Sequence, residues 1–139
     1  MDMMVADLQR RGFGVVLAHP ERSPSFQREP ARLAALVERG ALAQITTGSL
    51  AGAFGDTARR AAEDMLRRSL VHVLASDAHD AVHRPPDLRA TGDALDERQA
   101  AWMTGAAPAA IVAGRPLPER PPLPRPRGVR ARLRAWSPR

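Results

Sequence analysis

Three short apolar runs constrain this chain most: residues 13–18 (FGVVLA), 41–46 (ALAQIT) and 69–75 (SLVHVLA). Each is strand-length, and amphipathic stretches of helical period separate them. The first such stretch opens at Pro30, where a missing N–H does no harm, places Leu33, Leu36 and Val37 on one face, and stops at Gly40. The second opens at Asp56, a residue type suited to an N-cap, with Ala58, Ala61, Ala62, Met65 and Leu66 inward and four arginines outward. A leading helix over 1–12 puts Met4, Val5 and Leu8 on one side and ends at Gly12. Further helices are expected over 96–103 and 108–113. Segments 21–27 and 47–55 read as polar and glycine-punctuated loops. Such alternation implies an α/β fold with a parallel sheet, helices packed on it, and functional groups at the C-terminal strand ends. Continuous apolar runs imply strands buried on both faces. Three strands are few for a closed barrel.

At 139 residues, 44% of them hydrophobic, the chain is long enough for one real core. The absence of cysteine excludes disulfides, thiolate metal sites and cysteine nucleophiles. No apolar run reaches the roughly 18–20 residues of a membrane helix. The amphipathic start, with Asp2 and Asp7, does not read as a signal peptide, so the cytoplasm is the expected compartment. The net charge of +6 is unevenly placed: residues 118–139 hold seven arginines and one acid, which leaves residues 1–117 neutral. That Pro/Arg-rich segment is expected to be a disordered tail beyond a domain spanning 1–117. With Trp136 as its one aromatic residue, it is poorly equipped for base stacking, and no specific nucleic-acid partner is expected.

The chemistry concentrates where the apolar runs stop. Ser76-Asp77-Ala78-His79 ends the third run, and in an extended chain residues two apart face the same side. Asp77 and His79 can thus present a carboxylate and an imidazole together, a donor pair accepted by Mn2+, Zn2+ or Fe2+. The alternative is an Asp capping a turn beside a surface His. His19, at the end of the first run, reads alone as a core histidine. With Asp77 and His79 on a neighbouring strand it becomes a third ligand candidate. Arg22 and Arg84 follow the two ligand segments and could clamp a phosphate, though solvated loop arginine is the common fate. His72 is out of phase with Asp77 and reads as structural; His83 carries no clear signal. Thr46, Thr47 and Ser49 could line a pocket, but are more often turn and cap formers. No Walker-type or dinucleotide glycine loop, nucleophile elbow or cysteine phosphatase loop occurs.

Taken together, AHPER at 18–22, LVERGALAQITTGSLAGAFG at 36–55, VHVLASDAH at 71–79, RPP at 84–86 and PAAIVAG at 108–114 resemble the C-terminal half of the PHP-type (polymerase and histidinol phosphatase) protein-tyrosine phosphatases, the CpsB/CapC group of bacterial capsule and exopolysaccharide loci. The resemblance covers roughly residues 1–117 and implies about three βα units of a distorted (β/α)7 barrel. It implies metal ions, usually manganese with Fe2+, Zn2+ or Mg2+ as alternatives, held by His19, Asp77 and His79. It further implies that Arg22 and Arg84 bind the phosphate, that metal-activated water attacks phosphorus without a phosphoenzyme, and that the substrate is a phosphotyrosine protein, a bacterial tyrosine autokinase. The family pattern begins with an H-x-H that is absent here, the first histidine being His19. Weak or no activity of this polypeptide alone is therefore expected, with an unpaired sheet edge open to oligomer formation. Two other readings stay open: another PHP-type phosphoesterase acting on histidinol phosphate or a nucleotide, and a non-catalytic fragment that binds a partner through its sheet edge or basic tail.

Overall fold

The structure is a computed structural model that describes residues 2–82, 86–88 and 95–122. Helix α1 (Asp2–Arg10) leads into strand β1 (Val16–Ala18), a 3-10 turn (Pro20–Arg22) and helices α2 (Pro24–Arg28) and α3 (Pro30–Glu38). Strand β2 (Leu42–Thr46), helices α4 (Thr47–Leu50) and α5 (Gly55–Arg67) and strand β3 (Val73–Ala75) follow. Helix α6 (Glu97–Ala101) runs through a π-helical turn (Trp102–Ala106) into α7 (Ala107–Val112). Among the described residues the strands form one parallel sheet in the order β1-β2-β3, with Leu17 level with Ala43 and Ile45 level with Leu74.

The central strand carries the core. Ala43 and Ile45 of β2 are fully buried, in one core cluster with Leu33 and Leu36 of α3 and Ala62 and Met65 of α5. Val71, Leu74, Trp102 and Met103 continue the same cluster. Burying a leucine or methionine side chain in this way is worth about 1.5–3 kcal/mol. The apolar stripes read from the sequence on α3 and α5 are the faces that do this.

Several local expectations are corrected. The first apolar run is an edge: among the described residues β1 has a partner strand only in β2, and Phe13 and Val16 are 53% and 41% exposed. A continuous apolar run reads the same whether one or both faces are covered. Met4 points away from the core at 67% exposed, leaving Val5 as the buried residue of α1. The polar segment after β1 is not a loop but two helical pieces, each with proline in its first turn. TGSL after β2 is helical because the Thr46 side chain accepts from the Ser49 N–H and caps it. Asp56 lies inside the first turn of α5, paired with Arg59 and Arg60, and is not its cap.

The first residues of the segment expected to be a tail contact the rest of the chain. Leu117 packs on the core, the Trp102 indole N–H donates to the Pro118 carbonyl at 3.2 Å, and the Gln99 amide donates to the Pro122 carbonyl at 3.1 Å. The Arg120 guanidinium donates to the carbonyls of Ser69 and Val71 and lies 4.9 Å from the Trp102 ring centre. Residues 123–139 lie outside the described residues.

Arg120 also faces His72, just before β3. Burial, then the Arg120 charge, push the His72 imidazole down from 6.5 to about 4, only partly offset by a hydrogen bond to the Leu70 backbone. Its Nδ1 accepts from the Ala43 N–H at 3.2 Å, which requires that nitrogen to be unprotonated. The folded protein thus holds this imidazole neutral where the unfolded chain takes up a proton. Stability is fully present above pH 6.5 and falls as pH drops toward about 4. Urea unfolding of wild type and His72→Gln should show this contribution: the wild type loses more stability between pH 7 and pH 4.5 than the variant. Parallel pH profiles would contradict it.

Candidate active site

The turns after β1 and β3 carry the polar groups, and β2 lies between those strands. This corrects the expectation that His19 and Asp77 end neighbouring strands. At about 4.8 Å per strand spacing, the ends of β1 and β3 are roughly 10 Å apart. One side chain spans that gap: Arg22 Nη1 lies 2.9 Å from Asp77 Oδ2, with both side chains mostly buried at 29% and 25% exposed. The Arg22 guanidinium carbon lies over the Phe54 ring, 4.2 Å from its centre. A charged pair and an aromatic face therefore fix the guanidinium in one orientation.

Both chain turns are made by residues in the left-handed region. His19 has φ 39° and ψ 53°, and Asp77 has φ 53°. This conformation is uncommon without glycine and clusters at functional sites. His19 stays in the sheet ladder through its N–H, which donates to the Gln44 carbonyl at 2.8 Å. The chain then reverses into the 3-10 turn. Because β3 ends at Ala75 and Asp77 is left-handed, the two-residue alternation that grouped Asp77 with His79 does not apply. They are linked otherwise: His79 Nδ1 lies 2.8 Å from the Asp77 backbone carbonyl. A carbonyl only accepts, so Nδ1 carries the hydrogen, and in the neutral ring Nε2 keeps its lone pair.

That tautomer suits a metal ligand, and imidazole with carboxylate is a donor set that divalent transition ions accept. The convergence is less complete than the sequence suggests. Among the described residues, no three His, Asp or Glu side chains gather closely enough to hold one ion. His19, Asp77 and His79 fit in kind, without forming a closed set. Arg84 and His83 lie outside the described residues.

The sequence reading passed over Glu21, which is fully buried. Its Oε1 accepts from the Thr46 N–H (3.1 Å), the Thr46 hydroxyl (3.1 Å) and the Ser49 hydroxyl (2.7 Å), while Oε2 has no hydrogen-bond partner among the described residues. The Gln27 amide donates to the Glu21 carbonyl at 2.7 Å. This carboxylate fastens the turn that holds His19 and Arg22 to the end of β2 and the start of α4. Thr46 and Ser49 are thus cap formers and anchors, and Thr47 donates to the Asp87 carbonyl at 2.9 Å. Nothing in the sequence flags Glu21, since an acid beside a proline in a polar segment is ordinarily solvated. Phe54 was passed over too, as part of a glycine-rich segment. An open groove of about 440 Å³ runs beside this turn along the β1 edge, lined by Val16, Ala18, His19, Arg22 and Phe26 among others.

A parallel α/β unit whose charged groups sit at the C-terminal strand ends defines the class: an α/β protein with a strand-end site. The description "Capsular polysaccharide synthesis, CpsB/CapC" matches residues 1–105, and the chain belongs to that family. It is 43% identical over 79 residues to the tyrosine-protein phosphatase YwqE of Bacillus subtilis (strain 168), a match covering 57% of this chain and 31% of that protein. It is 30% identical over 95 residues to the tyrosine-protein phosphatase CpsB of Streptococcus pneumoniae, covering 65% of this chain and 39% of that one. The fold matches the crystal structures that describe YwqE and CpsB as unique metal-dependent tyrosine phosphatases, with a TM-score of 0.71 and 31% identity over 90% of this chain and 52% of that chain. The chain spans about a third of the length of these curated relatives and about half of the solved one.

The anchoring role of Glu21 is open to test by urea denaturation. Glu21→Ala leaves the Thr46 N–H and two hydroxyls buried without their acceptor and should cost about 2–4 kcal/mol. Glu21→Gln keeps an acceptor oxygen and should cost about 1 kcal/mol. Equal losses for the two variants would show that the carboxylate oxygen does not hold the turn.

Proposed function

We propose that this chain supplies part of the active site of a metal-dependent protein-tyrosine phosphatase built on a distorted (β/α)7 barrel. Its substrate is a phosphotyrosine protein, a bacterial tyrosine autokinase, and its compartment is the cytoplasm. Family membership supports the reading, and the fold match extends over half of a solved metal-dependent tyrosine phosphatase chain. Among the described residues no helix is long and apolar enough to cross a membrane. The observation that carries it is the Arg22–Asp77 pair at 2.9 Å, which joins the HPER turn to the SDAH turn across the sheet.

In this reading His19, Asp77 and His79 are metal ligands, with manganese the expected ion. The bound metal would activate water and neutralise charge on the phosphate. Further donors would come from the family's H-x-H, which the 139 residues do not include. Arg22 does the chemistry that this chain can do by itself. Asp77 engages one of its Nη groups, which leaves other N–H donors of the planar fork for phosphate oxygens. The Asp77 carboxylate would repel an arriving phosphate dianion, and Arg22 stands between them. As charge builds on the phosphoryl oxygens, the fixed guanidinium stabilises it without reorganising. Arg84 would add a second clamp from the RPP segment.

A second reading has its own observation. The open edge of β1, with Phe13 and Val16 exposed, could pair with another chain and make this a binding fragment or an oligomer.

The phosphatase reading is tested by titrating the chain, with Mn2+ present, with a phosphotyrosine peptide and its unphosphorylated twin. Calorimetry should detect only the phosphorylated peptide. Arg22→Ala should weaken it about 10- to 100-fold, and Arg22→Lys by less. Equal affinity for the two peptides, or no effect of Arg22→Ala, would contradict the assignment. Phosphate release from histidinol phosphate or a nucleotide in preference to the peptide would favour another phosphoesterase.

A further inference from the structure

We propose that Phe54 is the residue by which this site distinguishes an aromatic phosphate ester from an aliphatic one. The inference deepens the phosphatase reading and rests on it. Phe54 is 36% exposed and lies against Arg22, the proposed phosphate anchor, with 4.2 Å between Cζ and the ring centre. A phosphate held by that guanidinium brings its ester substituent beside the same ring. A phenyl group can stack there offset or edge-on, which an aliphatic linkage of serine length cannot reproduce.

The ring is held in place by the backbone around it. Residues 51–54 form a tight turn between α4 and α5, with Gly52 and Gly55 in the left-handed region at φ 82° and 84°. The Ala53 N–H donates to the Gly48 carbonyl at 2.8 Å, and the Gly55 N–H to the Gly52 carbonyl at 3.0 Å. Gly48 supplies an independent observation. It sits within α4 and is not among the positive-φ glycines, so its backbone makes no demand for glycine. Its space does: a Cβ at 48 would lie 3.0 Å from Phe54 Cε2. The glycine makes room for the ring, and the ring is thereby seated on Arg22.

The alternative is that Phe54 only orients Arg22, and that role predicts equal losses for every phosphate. The test is equilibrium binding to the full chain in Mn2+. The three probes are a phosphotyrosine peptide, a phosphoserine peptide of the same sequence, and inorganic phosphate. Wild type should favour phosphotyrosine over phosphoserine by about tenfold. Phe54→Ala should bring that ratio to within about twofold, with far less loss for inorganic phosphate than for phosphotyrosine. Phe54→Leu, which keeps apolar bulk without an aromatic face, should resemble Phe54→Ala. Phe54→Tyr should restore the ratio, and Gly48→Ala should lower it by displacing the ring. An unchanged ratio in Phe54→Ala, or equal weakening of all three ligands, would overturn the proposal while leaving the phosphatase reading intact. Failure of wild type to bind any of the three would overturn both.

Discussion

The Glu21 carboxylate has no contact with solvent, and its Oε1 accepts three hydrogen bonds from Thr46 and Ser49, so the turn after β1 has one place to sit on the sheet. A buried carboxylate is costly unless hydrogen-bonded, and moving this turn would leave both the acceptor and its donors unsatisfied. The neighbours of Glu21 inherit that rigidity. Pro20 fixes the entry to the 3-10 turn, His19 is driven into a left-handed conformation, and Arg22 emerges pointed across β2 toward Asp77. The placement of charge at the strand ends thus follows from a hydrogen-bonded anchor below them.

Arg22 then joins what the sheet keeps apart. The strands that end in His19 and Asp77 are not adjacent, and between them the end of β2 and the start of α4 supply the Thr46 and Ser49 hydroxyls that serve Glu21. A long, permanently charged side chain is suited to cross that distance, and the Phe54 ring packs against its guanidinium. Lysine would reach Asp77 but would neither stack on the ring in the same way nor offer a fork to a phosphate.

Much of the fold was legible in the sequence because it depends on period and punctuation. The apolar stripes of α3 and α5, the Pro30 start and the three strand segments all follow from residue spacing, and the parallel order follows from their alternation. The exposure of β1 was not legible, because hydrophobic composition does not reveal which face is covered. Nor were the left-handed His19 and Asp77, since tertiary contacts impose that conformation on residues with no strong signal for it. Helix α4 was hidden by Thr47-Gly48-Ser49, whose turn-like composition is overridden by the Thr46 cap. Residues 118–122 read as tail by composition but are held by Trp102 and by the backbone carbonyls before β3. As candidates, His19, Arg22, Asp77 and His79 were legible from strand ends and motif order. Their arrangement was not, because it depends on Glu21 and Phe54.

The central claim is that Arg22 physically couples the turns after β1 and β3. A double-mutant cycle with Arg22→Ala, Asp77→Asn and the double variant, read by urea denaturation at low salt, tests it most directly. The account predicts a coupling of about 1 kcal/mol, so that the double change costs less than the sum of the two single changes by that amount. Additive single effects, with a coupling indistinguishable from zero, would contradict it.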